Sequence, residues 1–160
     1  MDSSDVIALI KKAHTDHSIE GVTFLGGEPL LQARGLSHVA SEVRMQGLSV
    51  MVFTGYLLED LARLSLAGVP SLLAATDLLV DGPFEYHEPE SLRNWVGSCN
   101  QRFHYLSTRY EPKVETDASF MHGFEMRIGA DSLIRLNGWP VDFHRRSGNG
   151  DLTVRKCEMD

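Results

Sequence analysis

Three short apolar runs alternate with helical patterns and constrain the fold more than any other feature of the chain. Val22-Thr23-Phe24-Leu25, the stretch from Leu48 to Phe53, and Asp77-Leu78-Leu79-Val80-Asp81 are each followed by a glycine-bearing turn. Near-continuous apolar strands of this length indicate a parallel sheet covered on both faces. The intervening segments read as helices. Asp5 to His17 carries Val6, Leu9, Ile10 and Ala13 at helical spacing, with Ser3 or Ser4 as the expected cap. A second helix follows Pro29 and stops near Gly47, with Gly35 as a possible break, and a third runs from Tyr56 to Ala67 until Gly68 and Pro70 end it. Ligands in such folds gather at the carboxyl ends of the strands. Those ends are Gly26-Gly27-Glu28, Thr54-Gly55-Tyr56 and Asp81-Gly82-Pro83.

Beyond Phe84 the alternation loosens. Glu85 to Glu90 is acidic, carries Pro89 and reads as a solvated loop, and Phe103 to Ser107 reads as a fourth strand. Phe124 to Ile128 and Leu133 to Leu136 alternate on either side of a turn and predict a hairpin appended to the sheet. The tail from Arg145 is Gly-rich and charged, and is expected to fray.

Charge and cysteine usage exclude several functions. Lys and Arg number 15 against 22 Asp and Glu, a formal net charge of -7, so nucleic acid is not an expected partner. No apolar run approaches the roughly 20 residues that cross a bilayer, and the acidic start is wrong for a signal peptide. The expectation is a cytoplasmic protein with no membrane partner. Cys99 and Cys157 stand far apart with no metal-type spacing and read as two free thiols. His14 and His17 can share one helix face, but no third ligand completes a set. Neither a G-x-S-x-G elbow nor a G-x-x-x-x-G-K-[ST] loop is present.

The sharpest local feature is Thr23-Phe24-Leu25-Gly26-Gly27-Glu28-Pro29-Leu30-Leu31. Paired glycines let a backbone turn tightly and approach a ligand, and the adjacent carboxylate offers a partner for an ammonium group. This string resembles the Gly-Gly-Glu-Pro motif of radical S-adenosylmethionine (SAM) enzymes. Val52 to Tyr56, Asp77 to Phe84 and Gly97 to Arg102 follow it in order. Together they are similar to the anaerobic ribonucleotide reductase activating enzymes and their single-cluster relatives, over roughly Val6 to Leu106, about two-thirds of the chain.

The resemblance implies a fold, a chemistry and a set of partners. The fold is an incomplete (β/α) partial barrel of parallel strands with outer helices, plus the C-terminal β-hairpin. It divides into a truncated core over 1–110 and an extension over 111–160. The chemistry is reductive cleavage of SAM at a 4Fe-4S cluster, yielding a 5′-deoxyadenosyl radical that takes hydrogen from a glycine. The partners are a glycyl-radical enzyme such as anaerobic ribonucleotide reductase and a flavodoxin-like or similar electron donor. Carried over by position, Gly26, Gly27 and Glu28 form the methionine cradle and Pro29 fixes its exit. Thr54 and Gly55 supply further SAM contacts. Asp81 either contacts the ligand or caps a turn, and Asn100 and Gln101 either line the site or brace its loop.

The C-x-x-x-C-x-x-C triplet that holds the family's cluster belongs upstream of the first helix and is absent from this sequence. The expectation is therefore a truncated activase that is not catalytically competent as it stands, with no catalytic or metal-ligating residue assigned. Two alternatives remain: a cluster-less binding module, or a radical SAM protein that modifies a small molecule or peptide.

Overall fold

The structure, a computed structural model, describes residues 2–120, 125–128 and 134–137. The chain divides into two compact units, one of Met1–Glu90 with Val96–Pro112 and the other of Ser91–Trp95 with Lys113–Asp160.

The first unit opens with α1 (Ser3–His17). Its cap is Asp2 rather than Ser3 or Ser4. The Asp2 carboxylate accepts from Ser3 N at 2.6 Å, and Asp5 answers by accepting from Asp2 N at 3.3 Å. A charged acceptor satisfies the orphan N–H groups and complements the helix dipole better than a hydroxyl does. Four strands follow: β1 (Gly21–Phe24), β2 (Ser49–Phe53), β3 (Leu78–Asp81) and β4 (Arg102–Tyr105). They lie in sequence order in one sheet, with β1, β2 and β3 parallel. Between β1 and β2 a 3-10 turn (Pro29–Gln32) leads into α2 (Ala33–Met45), and Gly35 does not break the helix. Val39, Ala40 and Val43 of α2 pack with Val50 and Val52 of β2, Leu79 of β3 and Leu72 in one buried cluster. Every residue of β3 is buried, as a strand covered on both faces should be.

Two expectations are corrected here. The fourth strand is antiparallel to β3, pairing Leu78 with Tyr105 and Asp81 with Arg102. Residues 82–101 carry no helix, and a parallel return needs a crossover that an antiparallel one does not. The unit is thus mixed α/β around a four-stranded, mostly parallel sheet. The helix expected from Tyr56 to Ala67 is α3 (Leu58–Leu64), but Gly68 and Pro70, expected only to end it, instead introduce a further helix, α4 (Val69–Ala74). Ser65 adopts a left-handed conformation that ends α3, and Pro70 stands in the first turn of α4, where its missing N–H costs no bond.

The acidic segment is only partly solvated. Glu85 to Glu88 are exposed, but Glu90 is buried, its backbone N donating to Gly97 O at 3.2 Å while Pro89 bridges Ser98.

In the second unit, β5 (Glu125–Ile128) and β6 (Ile134–Asn137) pair antiparallel. The hairpin forms a two-stranded sheet of its own rather than extending the four-stranded one. Within the same unit the Asn94 amide donates to Val114 O and Asp117 O, and the Trp95 and Phe120 rings meet at 5.2 Å. The tail from Arg145, with Cys157, lies outside the described residues.

Candidate functional site

The carboxyl ends of β1, β2 and β3 meet at an open cleft of about 170 Å³. Its first wall is the turn after β1. Gly26 and Gly27 have φ of 84° and 53°, the left-handed region that glycine adopts without a Cβ penalty. A Cβ at Gly26 would meet nothing within 4 Å, and one at Gly27 only the Gln32 amide at 3.9 Å. Protein packing does not demand glycine there; the backbone conformation and the space beside it do.

Glu28 ties this wall to the next. One carboxylate oxygen accepts from Leu30 N at 2.9 Å, capping the 3-10 turn, and from the Thr54 hydroxyl at 2.9 Å. The other accepts from Gly55 N at 3.0 Å. The Thr54 hydroxyl in turn accepts from Tyr56 N at 3.2 Å. Thr54 N donates to Val80 O at 2.9 Å and Gly82 N to Tyr56 O at 3.2 Å, so the turn after β3 is coupled as well. A carboxylate has about four lone-pair sites. Three are used here, which leaves capacity for one cationic donor in the cleft.

The far wall comes from the loop between β3 and β4. The Gln101 carbonyl oxygen accepts from Gly97 N at 2.8 Å and Ser98 N at 3.2 Å, while its amide nitrogen donates to Gly82 O at 3.4 Å. The Asn100 amide donates to Pro83 O at 2.7 Å, and its own oxygen is buried without a partner. Of the expected site residues, Gly26, Gly27, Glu28, Thr54, Gly55 and Gln101 line the cleft. Pro29, Asp81 and Asn100 do not. Gly82, at a strand end where ligands are expected to gather, also lines it, as do Phe53 and Phe84, which sequence reasoning does not single out. Their only signal is position, since each stands at or just beyond a strand's carboxyl end.

Asp81 belongs to a separate cluster. Its side chain is fully buried and accepts from Leu58 N at 2.8 Å, capping α3, and from Arg102 at 2.9 and 2.6 Å. The His104 Nε2 atom lies 2.9 Å away. Burial pushes the Asp81 carboxyl up, but the hydrogen bonds from Arg102 and Leu58 N, with the His104 ring beside them, outweigh it and hold the carboxyl below its ordinary value. Arg102 also bonds Glu59, whose carboxyl is lowered by that contact. The guanidinium is held more firmly protonated by Asp81 and Glu59 together.

The family model of the 4Fe-4S single cluster domain matches residues 2–104. The chain belongs to that family. No curated protein and no solved structure matches the chain. Membership places this single cluster domain among iron–sulfur proteins, yet its residues do not fit the cluster. Such clusters are held by cysteine thiolates. The sequence has two cysteines, fewer than the three of the C-x-x-x-C-x-x-C triplet, and Cys157 lies outside the described residues. Among the described residues no group of three or more His, Cys, Asp or Glu is arranged to hold a metal. His14 and His17 sit in the exposed last turn of α1. No helix among the described residues is long and apolar enough to cross a membrane.

Proposed function

We propose that this chain is the SAM-binding part of a radical SAM activating-enzyme-like protein of the anaerobic ribonucleotide reductase activase type. One observation carries the reading: the left-handed Gly26-Gly27 turn and the Thr54-Gly55 turn, joined by Glu28, open on a single cleft at the strand ends. The chain's own groups fit an amino acid ligand there. The spare Glu28 acceptor takes the ammonium group, and the glycines leave room for the methionyl chain. In this reading the four-stranded sheet is part of a partial (β/α) barrel. Its partners are a glycyl-radical enzyme, such as anaerobic ribonucleotide reductase, and a flavodoxin-like electron donor. Because the residues present do not fit the cluster, no cleavage step is assigned to this chain; its role is binding. The two-cysteine count likewise favours a cluster-less binding module as the second reading.

Equilibrium binding of S-adenosylhomocysteine, an unreactive analogue, tests the cradle. Gly27→Val is expected to weaken binding at least about tenfold, a loss of about 1.4 kcal/mol. A β-branched residue at positive φ costs more than the about 1–2 kcal/mol of an ordinary side chain, although a Cβ at Gly27 meets only the Gln32 amide at 3.9 Å. Urea denaturation of the variant reads that cost separately from the loss of binding. Unchanged affinity would remove Gly27 from the cradle. Anaerobic reconstitution with iron and sulfide is expected to load no cluster onto the purified chain. About four irons per chain would overturn the binding-only role.

A further inference from the structure

We propose that the Phe53 ring lies against the sulfonium group of the bound ligand, so that the cleft selects a positively charged sulfur over a neutral thioether. The inference rests on the reading of the cleft as a SAM site, and adds the residue that recognises the ligand's second positive charge.

Phe53 is the last residue of β2, and side chains along a strand alternate between its two faces. Val50 and Val52 are buried in the core cluster with Val39 and Val43 of α2. Met51 and Phe53 therefore project from the opposite face, and both are half-buried. The backbone beneath the ring is fixed. β2 is an interior strand of the sheet, Phe53 registers with Val80, and the N–H of the next residue donates to Val80 O at 2.9 Å. A side chain carried on such a strand is placed more precisely than one on a loop.

Phe53 lines the cleft directly before Thr54 and Gly55, which hold the two oxygens of Glu28. Among the described residues that line the cleft there is one carboxylate and no Lys, Arg or His. A half-enclosed site of that composition favours a cation. The ammonium group of a methionyl ligand takes the spare Glu28 acceptor, and its sulfur stands about 5 Å further along the ligand. A sulfonium has no N–H or O–H to donate, so a hydrogen bond does not recognise its charge. The negative face of an aromatic ring does, as it does for quaternary ammonium ligands.

SAM and S-adenosylhomocysteine share both ends and differ only in one methyl group and the charge on sulfur. Equilibrium binding of each is measured to the chain, to its Phe53→Leu and Phe53→Trp variants, and to versions whose Phe53 ring carries one, two and three fluorines. Fluorine drains the ring's negative face while nearly keeping its shape, so this series decides the matter even where Phe53→Leu weakens the fold. The wild-type chain is expected to bind SAM at least about threefold more tightly than S-adenosylhomocysteine. Phe53→Leu should remove most of that preference and Phe53→Trp should retain it. Each added fluorine should weaken SAM further and leave S-adenosylhomocysteine within about twofold. Wild-type binding of the two ligands with equal affinity would overturn the proposal. So would a fluorine series that lowers both in step, which would make Phe53 a packing residue. If the unmodified chain binds neither ligand, the reading of the cleft fails and the sulfonium contact fails with it. Wild-type binding of both, with affinities flat across the fluorine series, overturns the ring contact alone.

Discussion

Gly68→Ala is expected to destabilise the main unit by about 3 kcal/mol, a large effect for one added methyl group. Two penalties combine. Gly68 has φ of 89°, where an L side chain crowds its own backbone. A Cβ there would also stand 2.7 Å from Arg34 N, 2.8 Å from Arg34 Cα and 2.9 Å from Ala33 C. Those atoms are backbone at the start of α2, so no rotamer change relieves the overlap. α4 would have to move off α2, and Leu72 of α4 is part of the core. Gly47 supplies the control. Its φ is 81°, but a Cβ would meet nothing within 4 Å, so Gly47→Ala should cost only about 1 kcal/mol. Urea denaturation of the two variants, with slopes compared to confirm unchanged surface exposure, separates the two penalties. Equal losses would mean that close approach of α4 to α2 contributes nothing.

The second large effect concerns Asp81. Asp81→Asn is expected to cost about 2–3 kcal/mol near neutral pH, in the range for hydrogen bonds to a buried charged group. An amide cannot accept from Leu58 N and both Arg102 nitrogens at once, because one of its two polar atoms is a donor. The loss stays below that of a fully buried broken ion pair because Arg102 is 43% exposed and keeps Glu59. The dependence on pH has a definite sign. The folded carboxyl is held below the ordinary 3.8, so protons bind the unfolded chain first as the solution is acidified. The contribution of Asp81 is complete above about pH 4 and fades as pH falls through the lower folded value. Melting temperatures of wild type and Asp81→Asn should therefore converge as the pH falls below about 4. A gap independent of pH would show that shape, not charge, is what Asp81 supplies.

The cleft also illustrates how a motif can be read correctly by place and incompletely by role. Glu28 stands beside two glycines at a strand end, which suggests a partner for an ammonium group. In the folded chain most of its accepting capacity joins its own turn to the turn after β2, and only the remainder faces a ligand. Gln101, for which the sequence allows either lining or bracing, does both. Asp81 closes the most regular strand in the sequence, yet it turns away from the cleft into a cluster with Arg102 and His104.

Local pattern alone determined the first three strands of the main unit. The apolar runs over 22–25, 48–53 and 77–81 form β1, β2 and β3 within a residue or so, because alternation, β-branching and glycine turns act over a few neighbours. The Gly-Gly turn is legible for the same reason: a backbone that must reach positive φ selects glycine whatever surrounds it. Tertiary structure decided the rest. The direction of β4 depended on whether a helix could form between residues 82 and 101, and Phe84 became a cleft wall through its neighbours' hydrogen bonds to Ser98 and Asn100. The three partners of Glu28 and the burial of Asp81 were likewise set by chain segments up to 27 residues away. Local preferences fix φ and ψ over a few residues, whereas a side chain's partners follow from which distant segments the buried core brings beside it.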